Sequence, residues 1–231
     1  MINQKILSMT SSLQTESISM INIYNLFSFS KDFFIIPSYQ RKFAWEFKEI
    51  KELIDDVILA MENDYTYNLG TILLAKNDKF SSSIIDGQQR LTVLFFIILA
   101  LCKYSNDEYF SKNIFLRRLN VSDSRSDEIY HSKIINHDKT DLNIDYSIVD
   151  EIISYFESKG IEEESFSDYL FDNITVSAHY LHFYDNTPSD VIELICLQRF
   201  INLNKKGKRL IDAEVLNAEN HLSIIQKRLN I

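Results

Sequence analysis

The sequence has few of the residues that punctuate or cross-link a chain. Its 231 residues include only four glycines, two prolines and two cysteines. Cys102 and Cys196 lie in apolar runs without metal-ligand or disulfide spacing, so the sequence predicts two buried thiols. The longest apolar run, 93–102, is about half the length that a bilayer span needs, and the N-terminal residues lack a secretory hydrophobic stretch. These absences predict a soluble, cytoplasmic chain.

A surplus of positive charge is also absent. The chain carries 24 Lys and Arg residues against 33 Asp and Glu residues, which gives a net charge of −9. Such a surface does not bind polyanions in general, so any contact with nucleic acid must be local. With 45% hydrophobic and 25% charged residues, the composition is typical of a folded domain and excludes a disordered tail or a coiled-coil rod.

Hydrophobic periodicity predicts a mixed succession of helices and strands. Apolar positions from Phe47 to Met61 follow the spacing of an amphipathic helix. Two short aliphatic runs, 69–75 and 83–86, indicate neighbouring strands, and the apolar run 91–101 indicates a buried helix. The remaining predicted elements are helices at 15–27, 148–158, 164–171, 191–200 and 212–229 and strands at 33–36, 115–120 and 173–183.

The string IIDGQQR joins a predicted strand directly to the start of a buried helix. The first turn of a helix has N–H groups without intrahelical acceptors, and these groups favour phosphate. Gly87 would admit a phosphate close to the backbone, Arg90 would add donors, and the Gln88 and Gln89 amides could donate or orient a water. Asp86 is suited to hold Mg²⁺ or to accept a proton from water. A helix capped by Asp86, with a solvated Arg90, is the structural alternative.

The string IPSYQRKFAW places Tyr39, Gln40 and Arg41 just before Phe43 and Trp45. Aromatic rings next to an arginine can stack a base and pair with phosphate. Alternatively, the aromatic side chains pack under the next helix and Arg41 pairs with an acid. The sequence leaves both interpretations open.

A basic cluster lies near the C-terminal end of the chain, within 199–209. No acidic residue interrupts it, and its members are Arg199, Lys205, Lys206, Lys208 and Arg209. A local concentration of positive charge in an acidic chain could contact phosphate or DNA. A solvated loop is the alternative.

Other arrangements of polar residues do not indicate a known catalytic site. His179 and His182 are three positions apart on a predicted strand, so they face opposite sides and cannot hold one metal together. No Walker-type, dinucleotide-binding, zincin or serine-hydrolase string occurs. The ordinary routes to hydrolysis are therefore unsupported.

Four strings in order resemble the N-terminal domain of GmrSD-type restriction endonucleases. They are IPSYQRKFAW, YNLGTILL, IIDGQQRLTVLFFIILAL and FINLNKKGKRLIDAEVLNA, and the resemblance covers residues 15–220. It implies an α+β fold with a small, mixed-sheet core similar to the ParB/sulfiredoxin fold and a largely helical annex. The expected divisions are a nucleotide-binding core at 1–102, a helical insert at 103–190 and a closing segment at 191–231 that packs back on the core.

The resemblance also implies a function. In relatives, this domain is the module that binds and hydrolyses nucleotides in bacterial anti-phage systems that attack modified DNA. It is commonly joined to a C-terminal nuclease domain. By position, the catalytic residues would be Asp86, Gln88, Gln89 and Arg90, with Asp86 also holding Mg²⁺, and the nucleotide would contact Tyr39, Gln40, Arg41, Gly87, Asn204 and Gly207. We expect an NTP of unknown base as the ligand. DNA is a possible partner, and the nuclease would be a separate subunit or a missing C-terminal domain.

A second function remains open from the sequence. The chain would be a non-enzymatic DNA-binding or partner-binding subunit, and the nucleotide pocket would be a structural remnant. In that case binding would use the basic cluster and would not depend on NTP. A metal-dependent nuclease built on Asp86 is a third interpretation, but the motif holds only one acid, and phosphodiester cleavage usually needs more metal ligands.

Overall fold

The computed structural model describes residues 13–28, 33–37, 39–40, 43–76, 81–104, 119–121, 147–206 and 212–229. They form an α+β structure around one mixed sheet of six strands. The strands are β1 (Leu13–Asn22), β2 (Phe33–Ile36), β3 (Tyr67–Lys76), β4 (Ser81–Asp86), β5 (Leu119–Val121) and β6 (Ile174–Phe183). The helices are α1 (Ile23–Ser28), α2 (Phe47–Glu62), α3 (Gln88–Tyr104), α4 (Ser147–Lys159), α5 (Glu163–Asp172), α6 (Ser189–Lys206) and α7 (Asp212–Arg228).

The sheet has the strand order β1-β6-β3-β4-β2-β5. β6 is antiparallel to β1 and parallel to β3, whereas β3 is antiparallel to β4. β2 runs parallel to both β4 and β5. The centre of the sheet is therefore formed by β6, β3 and β4, and β1 is an edge strand.

Each face of the sheet packs against its own set of helices. Because side chains alternate along a strand, Ile72 and Leu74 of β3 join a core with α1 to α5, whereas Ala75 joins a second core on the opposite face. This second core is covered by α6 and α7 and also contains Leu181 of β6. α3 is buried on all sides from Leu91 to Cys102, as its almost entirely apolar sequence predicts.

The first predicted helix, 15–27, is wrong over most of its length. Residues up to Asn22 form β1, and only Ile23–Ser28 is helical. β1 pairs with β6 along its length, for example Glu16 with Leu181 and Asn22 with Thr175. Hydrogen bonds to a strand distant in the sequence therefore override a weak local preference for helix, because β pairing depends strongly on context.

The predicted helical insert at 103–190 contributes a central strand. β6 lies in the sheet between β1 and β3, so the sheet is not confined to residues 1–102. The three-part division itself remains a prediction. Both cysteines are buried thiols outside any disulfide, as expected. No described helix is both long and apolar enough to cross a membrane.

Candidate functional site

The IIDGQQR motif lies at the end of β4, where the neighbouring strands β2 and β3 do not end in line with it. β4 ends at Asp86, Gly87 follows, and α3 begins at Gln88. β2 pairs with β4 only as far as Ser83, and the ladder between β4 and β3 begins at Leu73. Backbone carbonyls beyond these ladders need other donors. Gln40, from the segment after β2, and Arg90 of the motif supply such donors.

Gly87 is required by a close contact with β3. Its φ is +92°, and a Cβ built there would lie 2.6 Å from Cγ2 of Ile72. A positive φ strains any residue with a side chain, and the contact leaves no room for one. The absence of a side chain is thus explained by packing against Ile72, and the predicted approach of a phosphate to Gly87 remains a prediction.

Gln40 completes the hydrogen bonding of β4 where β2 has ended. Its side-chain amide donates to the carbonyl oxygen of Ile84 and, at 3.2 Å, to that of Ile85. The glutamine therefore fixes the segment after β2 to the end of β4, immediately before Asp86. This places Gln40 beside the motif, and its contact with a nucleotide remains a prediction.

Arg90 has a similar role on the other side of β4. Its guanidinium donates to the carbonyl oxygen of Thr71, which lies beyond the β3–β4 ladder. The side chain also lies over Gly70, where an added Cβ would be 3.6 Å from Cζ of Arg90. This contact engages one of the five guanidinium N–H donors, and the side chain is half-buried.

The two glutamines of the motif connect α3 to the segment that precedes α2. Gln89 accepts a hydrogen bond from the backbone N–H of Ala44 at 2.9 Å and donates to Oε1 of Gln88 at 3.2 Å. Gln88 is buried. Phe43 packs edge-on against Phe96 of α3, with ring centroids 5.0 Å apart. In this structure the amides hold two segments together at the start of the helix.

Tyr39 is buried in the second core. It is 2% exposed and packs against Phe200 of α6, with ring centroids 5.3 Å apart. Burial raises the pKa of Tyr39 well above its usual value, and the nearby Cys196 and Glu193 add to the shift. The ring offers no open face to a base, so Tyr39 positions Gln40 by anchoring the segment against α6.

Residues from the far end of the chain are only partly described. Asn204 lies in the last turns of α6 and donates to the carbonyl oxygen of Phe200 at 2.7 Å. Arg199, the first residue of the basic cluster, forms an ion pair with Glu16 of β1, and both side chains are about half exposed. Lys205 and Lys206 end α6, and Arg41, Gly207, Lys208 and Arg209 lie outside the described residues.

Asp86 is exposed at the end of β4. Among the described residues, no group of three or more His, Cys, Asp and Glu side chains could hold a metal ion. Mg²⁺ is commonly bound by one or two carboxylates together with phosphate oxygens and water. A single exposed carboxylate beside the predicted phosphate site is therefore compatible with the predicted Mg²⁺ ligand, which remains a prediction.

The sequence did not predict several contacts around the site. Arg90 contacts Thr71, Gln89 contacts Ala44, and Tyr39 contacts Phe200. No local sequence pattern indicates Thr71, Ala44 or Phe200 as a partner. An open groove of about 580 Å³ was also missed; it is lined by Phe47 of α2 and Tyr155 of α4, away from the motif.

The chain is thus a mixed α/β domain with a strand–turn–helix junction at β4, Gly87 and α3. The junction presents one exposed carboxylate, that of Asp86. Residues 23–221 match the GmrSD restriction endonuclease N-terminal domain family. The chain belongs to this family and is a component of a restriction system. No curated protein sequence matches the chain. The family resemblance seen in the sequence is thereby confirmed, and β1 lies outside the matched residues, whereas the likeness to the ParB/sulfiredoxin fold remains a prediction.

Proposed function

We propose that the chain is the nucleotide-binding and NTP-hydrolysing module of its restriction system, with the site at Asp86 to Arg90. The observation that carries the proposal is the exposed Asp86 carboxylate next to the first turn of α3. The positive end of the helix dipole and its N–H groups favour phosphate there. Arg90, held half-buried by Thr71, adds a positive charge that does not titrate.

The described residues divide the chemistry between them. Asp86 would hold Mg²⁺ or accept the proton from the water that attacks the terminal phosphorus. Arg90 would stabilise the charge on the transferred phosphoryl group. A bound Mg²⁺ would neutralise phosphate charge. The energy of hydrolysis would regulate a nuclease on another chain or domain.

Phosphate release tests this proposal. We expect release from at least one of the four NTPs with Mg²⁺, and a fall of about 100-fold in Asp86→Asn, because the amide can neither accept the proton nor bind Mg²⁺ well. Asp168→Asn is the matched control, since Asp168 is an exposed aspartate of α5, and it should retain the wild-type rate. Equal rates in wild type and Asp86→Asn would reject hydrolysis at this site.

One observation favours the alternative, a non-enzymatic DNA-binding subunit. Gln40, Gln89 and Arg90 each bond to the protein's own backbone, as expected of a pocket kept for structure. Binding would then use the basic cluster and would not depend on nucleotide.

The salt dependence of DNA affinity tests the alternative. Replacing Lys205, Lys206 and Lys208 with glutamine should reduce the slope of log affinity against log salt by about 3, if each lysine contacts a phosphate. Glu16→Gln should raise DNA affinity, because it releases Arg199 from its ion pair. Fluorescence anisotropy with a labelled duplex gives both values. A slope that the triple substitution leaves unchanged would remove the basic cluster as the DNA contact.

A further inference from the structure

On the side of α6 and α7, the sheet is covered only in part. Ala75, Ile85 and Leu181 are buried in the second core. One row further along the strands, the side chains on this face are half-buried or exposed, and Leu73 is the last of them to pack against the second core. Ile18 and Met20 of β1 are each 69% exposed, although both are large and apolar.

The register of four strands places these side chains beside Asp86. Asp86 pairs with Leu73 of β3, Leu73 with His179 of β6, and His179 with Ile18 of β1. Residues directly opposite each other on paired strands project on the same face of a sheet. One row of side chains therefore runs from Leu73 to Ile18. Asp86 extends this row to three strand spacings, or about 14 Å, because the ladder shifts by one residue after Ile84 and places both Ile85 and Asp86 opposite Leu73.

A second row runs beside the first. Thr71 of β3 pairs with Ser177 of β6, and Ser177 pairs with Met20. We call the residues of the two rows, apart from Asp86, the open sheet face: Ile18, Met20, Thr71, Leu73, Ser177 and His179. None is buried, whereas Ile72, Val176 and Ala178 on the opposite face are fully buried.

The chemistry of the open sheet face complements the motif. It offers apolar side chains, two hydroxyls and an imidazole. None of the six residues is an Asp, Glu, Lys or Arg. Such a surface suits an uncharged planar group and a sugar better than it suits phosphates. Arg90 donates to the backbone carbonyl of Thr71, which is itself one of the six residues, and so brings a positive charge to this face.

We propose that a nucleoside triphosphate lies across the open sheet face, with its base and ribose on Leu73, His179 and Met20 and its phosphates at the Asp86 to Arg90 end. His179 is thereby a nucleotide-contacting residue. This inference rests on the proposed function, because it places the ligand of that same site.

Calorimetric titration can distinguish contacts to the base and ribose from contacts to the phosphates. The ligands are the magnesium complexes of ATP, GTP, CTP, UTP and inorganic tripolyphosphate, titrated into wild type, His179→Ala and Met20→Ser. We expect both variants to bind the preferred nucleotide about tenfold or more weakly, the loss of one good contact. Their affinity for tripolyphosphate should stay at the wild-type value, because it has no base or ribose.

His182→Ala is the matched control. His182 lies on the same strand, three residues further on, and its Nε2 is 2.8 Å from the hydroxyl of Ser17. It faces the other side of the sheet from His179, so its replacement should leave nucleotide affinity unchanged. Thermal unfolding of every variant shows whether it is folded, and His179→Gln provides a second variant if His179→Ala is not.

The outcomes distinguish the inference from the proposed function. If wild type binds nucleotide and the variants of the open sheet face bind it equally well, the placement of the base is wrong and the proposed function stands. If nucleotide and tripolyphosphate weaken together, the substitutions disturb the phosphate site, and this also overturns the placement. If wild type binds no nucleotide, both proposals fail.

Discussion

Gly87→Ala should destabilise the fold by about 2–5 kcal/mol, the largest effect on stability that we expect from adding one methyl group. The positive φ of +92° costs a residue with a side chain about 1–2 kcal/mol. The new Cβ would lie 2.6 Å from Ile72 Cγ2, and such overpacking costs a further 1–3 kcal/mol or so. Urea denaturation, with the free energy of unfolding extrapolated to water, gives the value.

Gly160→Ala is the control for this prediction. Gly160 also has a positive φ, of +61°, but nothing lies within 4 Å of an added Cβ. Its replacement should therefore cost only the backbone strain, about 1 kcal/mol. In an Ile72→Ala background, Gly87→Ala should lose the part of its cost that comes from Cγ2, whereas the contacts with Cα and Cβ of residue 72, each at 3.1 Å, remain. Equal costs at the two glycines would contradict the close contact between the turn and β3.

The strand–turn–helix junction could be predicted from the sequence because its signals are local. A short aliphatic run, a glycine and an apolar run too long for a strand mark β4, Gly87 and α3 in turn. The scarcity of glycine made Gly87 conspicuous. Its packing partner, Ile72, lies on another strand and could not be inferred.

The contacts of the motif could not be predicted, because they depend on where each strand ends relative to its neighbours. Gln40 bonds to Ile84 and Ile85 because β2 stops short of them, and Arg90 bonds to Thr71 because β3 extends past the end of β4. The same reason applies to β1. Its pairing with β6 joins residues more than 150 positions apart, such as Asn22 and Thr175, and no local pattern encodes that register.

These backbone contacts have a consequence for the site. Gln40 and Arg90 brace the two sides of β4, so Asp86 projects from a strand end whose neighbours are fixed. The backbone from which this carboxylate projects is thus positioned before a ligand arrives, and preorganisation is what electrostatic catalysis requires. The structural contacts of the motif are therefore compatible with catalysis.

Arg90→Ala should lower the rate of phosphate release about 1000-fold, through loss of the charge that stabilises the transferred phosphoryl group. It should also destabilise the fold by about 1–3 kcal/mol, because the carbonyl of Thr71 loses its donor. Arg90→Lys separates the two effects. The lysine retains a charge and one donor for Thr71, so most of the stability should return, but the loss of the planar fork should leave the rate well below wild type.

Arg199→Ala is the control for charge alone, since Arg199 is half exposed and paired with Glu16 on the edge strand. Its removal should leave the rate unchanged. Rates measured at saturating nucleotide, with KM determined separately, show whether Arg90 acts on binding or on the chemical step. A variant Arg90→Ala that is less stable but hydrolyses at the wild-type rate would make Arg90 a structural brace for β3 and leave the transition state without its proposed positive charge.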